Sequence, residues 1–157
     1  MADNLFPVFD MPSAIVNPLT VNTPQYPPSP LFDVETGEFV TDGTGRPVMG
    51  NGFSAWVLWC TKTILTQRWA YYGYSSNAGI EAEESFLEPS RKAIQSSFER
   101  TITEALLADP MGRTQMVQDF IFSWQPVAPV APDSLLITCT VIANNGMTAI
   151  VNAALNR

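Results

Sequence analysis

Fifteen acidic side chains and no histidine set what chemistry this 157-residue chain can do. Without an imidazole, Ser-His-Asp and Cys-His nucleophilic sites, histidine metal ligands and the commonest general base are all missing. Carboxylates are the acid/base groups that remain. Glu81, Glu83, Glu84, Glu88 and Glu99 lie close enough in sequence to supply a pair for glycosidic hydrolysis of a peptidoglycan. That chemistry requires two carboxyls at a set separation, one of them in an apolar pocket that raises its pKa. An acidic run is more often a solvated face, and a chain of net charge −7 gains no attraction to an anionic cell wall. Cys60 and Cys139 each sit inside an apolar pattern and read as two buried thiols, not a bridge or metal site. Asp42-Gly43-Thr44-Gly45 contains Gly-x-Gly, but no Gly-Lys-Ser/Thr follows, so it reads as a turn and not a phosphate loop. No catalytic residue, cofactor or metal is assigned from these residue types.

Composition narrows the partners. The eight basic residues are scattered, with no stripe to neutralise phosphates, which argues against nucleic acid. No apolar stretch approaches the roughly 20 residues of a bilayer span. The start, Met-Ala-Asp-Asn-Leu-Phe-Pro, lacks the regions of a signal peptide, so synthesis in a cytoplasm is expected, without a membrane partner. Hydrophobic residues make up 46% and charged residues 15%, and the surface must therefore be largely uncharged. Two readings follow: a globule with a Ser/Thr/Asn exterior, or a subunit covered by permanent neighbours.

The elements that must position these residues are legible by period. Residues 1–30 carry Pro7, Pro12, Pro18, Pro24, Pro27, Pro28 and Pro30 among isolated apolar residues, which predicts an extended arm. That arm either lies on a partner's surface or is a disordered tail. Residues 31–157 are expected to form one domain. Alternation around Thr36-Gly37 predicts a hairpin, with Arg46-Pro47-Val48 resuming an edge strand. Phe53, Trp56, Val57, Cys60 and Ile64 share one helical face, broadened by Leu58, Leu65 and Trp69. The aromatic run Trp69 to Tyr74 leaves that helix and reads as core and interface packing, followed by a loop from Ser75 to Gly79. A short acidic helix is expected around Glu81 to Glu84. Ile94, Phe98, Ile102 and Leu106 are spaced by four and predict a second long helix, with Pro89 in its first turn and Asp109-Pro110 ending it. Val117 to Trp124, with Phe120, Phe122 and Trp124 on one face, and Leu135 to Ala143 alternate as strands, joined through Pro126, Pro129 and Pro132. Asn144-Asn145-Gly146 is a hairpin turn, and Met147 to Leu155 returns as a strand, an Ala-rich helix being the alternative. Strands, two helices, then strands make an α+β fold: a small antiparallel or mixed sheet packed with two main helices.

Several stretches, taken in order, resemble one family. They are Leu31 to Phe39, Asp42 to Pro47, the helix ending Thr66-Gln67-Arg68-Trp69, Glu104 to Pro110, the strand Asp119 to Phe122 and the strand Leu135 to Ile142. Together they are similar to the gene-25-like baseplate proteins of contractile phage tails, over residues 31–145. The resemblance implies a structural, non-enzymatic sheath initiator in the virion, at the tail baseplate. It implies partners in the tail sheath protein, the baseplate wedge and the tail tube or hub, and a ring of six copies. Strand sharing would attach the first sheath ring. The last hairpin, Leu135 to Leu155, is the expected edge, with Thr138, Thr140, Ile142, Thr148, Ile150 and Asn152 as its contact residues. Removal of residues 147–157 is expected to abolish attachment and leave a folded core. The family's Glu-Pro-Arg motif, which meets the wedge, is matched by Glu88 and Pro89, with Arg91 one position late and so turned by about 100° on a helix. Glu88 has a plainer reading as an acid complementing a helix N-terminus. A soluble acidic adaptor of the same fold stands as a further alternative.

Overall fold

The computed structural model describes residues 26–33, 36–125 and 134–156. The fold already includes Tyr26, whose ring meets Trp56 edge-on at 6.2 Å and whose hydroxyl donates to the Arg113 carbonyl at 3.2 Å. Residues 1–25 of the expected arm, residues 34–35, and the loop with Pro126, Pro129 and Pro132 lie outside the described residues. Two short strands, β1 (Ser29–Pro30) and β2 (Met49–Gly50), pair antiparallel. Between them both expected turns are present. Phe32 bridges Phe39 around Thr36-Gly37, and Thr41 bridges Pro47 around Asp42 to Gly45. Asp42 Oδ1 accepts from Thr44 N–H at 2.8 Å, Thr44 Oγ1 at 2.7 Å and Arg46 N–H at 2.9 Å. Those bonds, that of the Thr44 hydroxyl foremost, hold its carboxyl below the usual range.

Asn51 starts α1 (Gly52–Leu65) by accepting from Ser54 N–H at 2.8 Å, a cap worth about 1 kcal/mol. Trp56, Cys60 and Ile64 form its buried stripe, with Phe53 and Val57 packed at the margin. Leu65 and Trp69 do not widen it. Leu65 is exposed on the outer side of α1, and beyond it Thr66 turns to extended backbone and breaks the 3.6 period, which leaves Trp69 exposed as well. After the short α2 (Ala82–Phe86), α3 (Arg91–Leu107) opens on Ser90, whose hydroxyl accepts from Ala93 N–H at 3.2 Å. Pro89 therefore precedes the cap instead of occupying the first helical turn, since Ser90 can supply the acceptor that proline lacks. Ile94, Phe98, Ile102 and Leu106 are buried as their spacing predicts.

β3 (Thr114–Gln125), β4 (Ser134–Ala143) and β5 (Thr148–Asn156) make an antiparallel meander in the order β3-β4-β5. At the Asn144-Asn145-Gly146 turn, Gly146 has φ +82° and donates to the Ala143 carbonyl, while Ala143 N–H donates to the Met147 carbonyl. The chain's Ala-rich end is a strand. Ala149, Val151, Ala153 and Leu155 alternate with exposed neighbours, and only a period of two buries all four together. α1 lies against β5 and α3 against β3, so the helices cover one sheet face in a two-layer α+β fold. Trp56, Phe98, Leu135, Ile137, Val141 and Val151 fill the layer between.

Candidate partner-binding edge

The six residues expected at the sheath-facing hairpin form three cross-strand pairs: Thr138 with Asn152, Thr140 with Ile150, and Ile142 with Thr148. All six point away from the helices, and Thr138 Oγ1 donates to Asn152 Oδ1 at 2.7 Å. They do not share one status. β4 is the central strand, paired on both sides, so Thr138, Thr140 and Ile142 are not edge residues and offer side chains only. The expectation took the whole hairpin as edge because sequence shows which strands are adjacent in the chain, not which third strand flanks them. Thr148, Ile150 and Asn152 belong to β5, which among the described residues has a free side. Backbone groups of an antiparallel ladder alternate in direction. Ala143 donates to Met147, and counting onward from that bond turns the N–H and C=O groups of Thr148, Ile150, Asn152 and Ala154 away from β4.

The sheet's two edges differ. β3 shifts register twice, between Thr114 and Met116 and between Gln118 and Ile121, and Asp119 in the second bulge has φ +56°. Bulges twist an edge and interrupt its donor–acceptor row, and a charge there adds a desolvation penalty to any incoming strand. β5 runs nine residues, Thr-Ala-Ile-Val-Asn-Ala-Ala-Leu-Asn, in unbroken register with β4 and without proline, glycine or charge. An edge of that kind is a template for another strand. The face beside it is also uncharged along β4 and β5, with Ile121 and Ile150 prominently exposed.

Glu88, Pro89 and Arg91 are exposed at the corner before α3, and the Arg91 guanidinium lies 5.5 Å from the Trp124 ring centroid. A second acid-Pro-Arg constellation, read from sequence only as a helix end, is buried. Asp109 Oδ2 accepts from Arg113 Nε at 2.7 Å and N–H at 3.0 Å, Oδ1 accepts from Arg113 Nη2 at 3.0 Å, and the guanidinium stacks 5.0 Å from the Trp59 ring centroid. This pair locks the turn from α3 into β3. Its signal was the i,i+4 spacing of opposite charges around Pro110, beyond the end of a helix.

None of the five carboxylates weighed for hydrolysis sits in an apolar pocket. Glu83, Glu84, Glu88 and Glu99 are exposed, and Glu81 pairs with Arg68 at 2.8 Å and Arg100 at 3.3 Å. The bond that Arg100 donates to Glu81, foremost, holds the Arg100 pKa above its ordinary value. Burial pushes the Cys60 thiol up to about 12 and the Cys139 thiol up to about 11. The aromatic run Trp69 to Tyr74, expected as core and interface packing, is outside the core. Among the described residues no group of His, Cys, Asp and Glu is placed to hold a metal ion, and no helix is long and apolar enough to cross a membrane.

The family model of the contractile injection system sheath initiator matches residues 29–146, from β1 to the β4–β5 turn. The chain belongs to the sheath initiator family. No curated protein matches it. A sheath initiator is a structural component of a contractile injection system, located at the tail or baseplate, and it meets sheath and baseplate components. In this sheath initiator the matched segment carries both long helices and two strands of the sheet, while β5 lies just beyond it.

Proposed function

We propose that this sheath initiator starts sheath assembly in a phage particle by strand addition at β5, without enzymatic activity. The observation that carries this reading is the asymmetry of the sheet: one edge is bulged and charged, the other regular and neutral. A sheath strand laid along β5 would gain the outward N–H and C=O groups of Thr148, Ile150, Asn152 and Ala154, while their side chains set its register. The exposed corner of Glu88, Pro89 and Arg91, at the start of α3, is the proposed contact with the baseplate wedge. Six copies would ring the tube or hub, each offering one β5 to one sheath subunit. The non-enzymatic reading is supported by the carboxylates, which are solvated or paired with arginine.

Electron cryo-microscopy of the assembled baseplate with its first sheath ring tests this reading. The expected density is a sheath strand hydrogen-bonded along Thr148–Asn156. Sheath contact through β3, or through side chains alone with β5 unpaired, overturns it.

A further inference from the structure

Between α1 and α2 the chain makes an excursion that is clamped at its base. Gln67 and Ile80 form a parallel bridge, with Ile80 N–H donating to the Thr66 carbonyl at 2.9 Å and Arg68 N–H to the Ile80 carbonyl at 2.8 Å. Arg68 adds bonds to the Gly79 carbonyl at 3.1 Å and to Glu81 at 2.8 Å. Gly79 has φ +84°, and a Cβ there would stand 2.5 Å from the Thr66 carbonyl oxygen, so the base admits no side chain. From this clamp Trp69, Tyr71, Tyr72 and Tyr74 project, 64%, 61%, 110% and 46% exposed. Trp69 is held at φ +63°, an unfavourable conformation for a bulky residue that the surrounding bonds must enforce. A short closed loop that presents four large aromatics to solvent is built for contact. Residues 69–79 contain no acid, Arg68 at the base is neutralised by Glu81, and Lys62 Nζ brings a positive charge 5.8 Å from the Tyr74 ring centroid.

We propose that this aromatic loop receives residues 1–25 of a second copy of the chain. Those residues carry Pro7, Pro12, Pro18 and Pro24, with Phe6 and Phe9 on either side of Pro7. Extended proline-rich segments are recognised by surfaces of exposed aromatic rings, because the segment loses little entropy and its pyrrolidine faces stack on the rings. Charge matches as well, since the segment has Asp3 and Asp10 and no lysine or arginine. The segment is tethered at the end of α1 that lies away from the loop of its own chain. Tyr26 packs on Trp56 near the start of α1, and Phe32 lies 5.7 Å from Lys62 near its end, so the entering chain runs toward the loop. The residues before Tyr26 thus begin at the far end of a helix about 20 Å long. In an extended form they span about 75 Å, enough to cross to an adjacent copy. This contact is independent of the β5 edge and stands or falls separately from it.

Sedimentation velocity of the full chain across the micromolar range tests the proposal. Wild type is expected to self-associate, the Tyr71→Ser/Tyr72→Ser double variant to associate about tenfold more weakly or less, and a synthetic peptide of residues 1–25 in excess to return wild type to monomer. Both tyrosines are exposed, so circular dichroism should show the double variant folded. Cross-linking separates the two routes, because the native Cys60 and Cys139 are buried. A mixture of Phe9→Cys and Tyr72→Cys chains should form an interchain disulfide under mild oxidation. A monomeric wild type, association that survives both the double variant and the peptide, or a disulfide formed only within a Phe9→Cys/Tyr72→Cys chain overturns the proposal.

Discussion

Replacing Ile150 by proline separates the backbone of β5 from everything else about it. The N–H of Ile150 points away from β4, so proline removes a donor from the free edge and leaves the β4–β5 ladder its bonds. The Ile150 side chain is 66% exposed; about a third of a buried isoleucine's roughly 2 kcal/mol, or about 0.7 kcal/mol, is at stake in the fold. In a domain of this size that lowers Tm by about 2 to 3 °C. An incoming strand loses one backbone bond outright, and the ring displaces it from the neighbouring bonds. At about 1 kcal/mol net for each, attachment weakens by about 2 to 3 kcal/mol, roughly 30- to 140-fold. The assay is the rate at which purified sheath subunits polymerise from baseplates carrying Ile150→Pro, beside Ile150→Thr, which keeps the donor and changes the side chain. Slow nucleation with Ile150→Pro and normal nucleation with Ile150→Thr is the expected result. Normal nucleation with Ile150→Pro at an unchanged Tm refutes the backbone argument, and equal damage from Ile150→Thr makes the recognition one of side chains. This substitution replaces the truncation of residues 147–157, which would strip Val151, Ala153 and Leu155 from the core and unfold the domain it was meant to spare.

Three further outcomes are expected. Arg113→Met leaves Asp109 buried and uncompensated, a loss of about 3 to 5 kcal/mol visible as a Tm lowered by about 10 °C or more; Asp109→Leu/Arg113→Met together should recover much of it. Cys60 and Cys139 should resist a thiol reagent at pH 8 and react fully in denaturant. Their pKa values are raised on folding, so the stability they contribute is complete below an unfolded pKa near 9.0 and is lost as pH climbs toward about 12 for Cys60 and about 11 for Cys139, which alkaline unfolding curves would show. Gly79→Ala should destabilise the loop base by about 1 to 3 kcal/mol, seen as faster hydrogen exchange at the Arg68 and Ile80 amides.

Period carried most of the fold. Spacing by four in α3 and by two in β4 places each buried residue, because one face of each element packs on a core. The Asn-Asn-Gly turn then pairs β4 with β5. What period cannot convey is lateral order: that β3 flanks β4 on the side away from β5, and hence that Thr140 is interior while Ile150 is at an edge. The bulge at Asp119 is a local departure that simple alternation hides. Core packing of Trp69 to Tyr74 is the part of the expectation that fails, for a related reason. Aromatic content indicates burial on average, but a chain clamped at Gln67 and Ile80 forces those side chains outward whatever their hydrophobicity. The Asp109–Arg113 lock was visible as letters and not as a contact, since its closure depends on the turn geometry after α3.

A sheet with one regular edge has a valence of one. Fibrous aggregation by strand stacking requires every chain to offer two compatible sides, so that each addition exposes another. Here the bulged β3 ends any such series. Two stray copies meeting along β5 would satisfy each other there and stop at a closed pair, leaving no regular sheet edge on which a third strand could grow. Pairing along this uncharged nine-residue strand, uncovered among the described residues, is thus self-limiting, and the same limit makes the number of strands it can seed equal to the number of copies present.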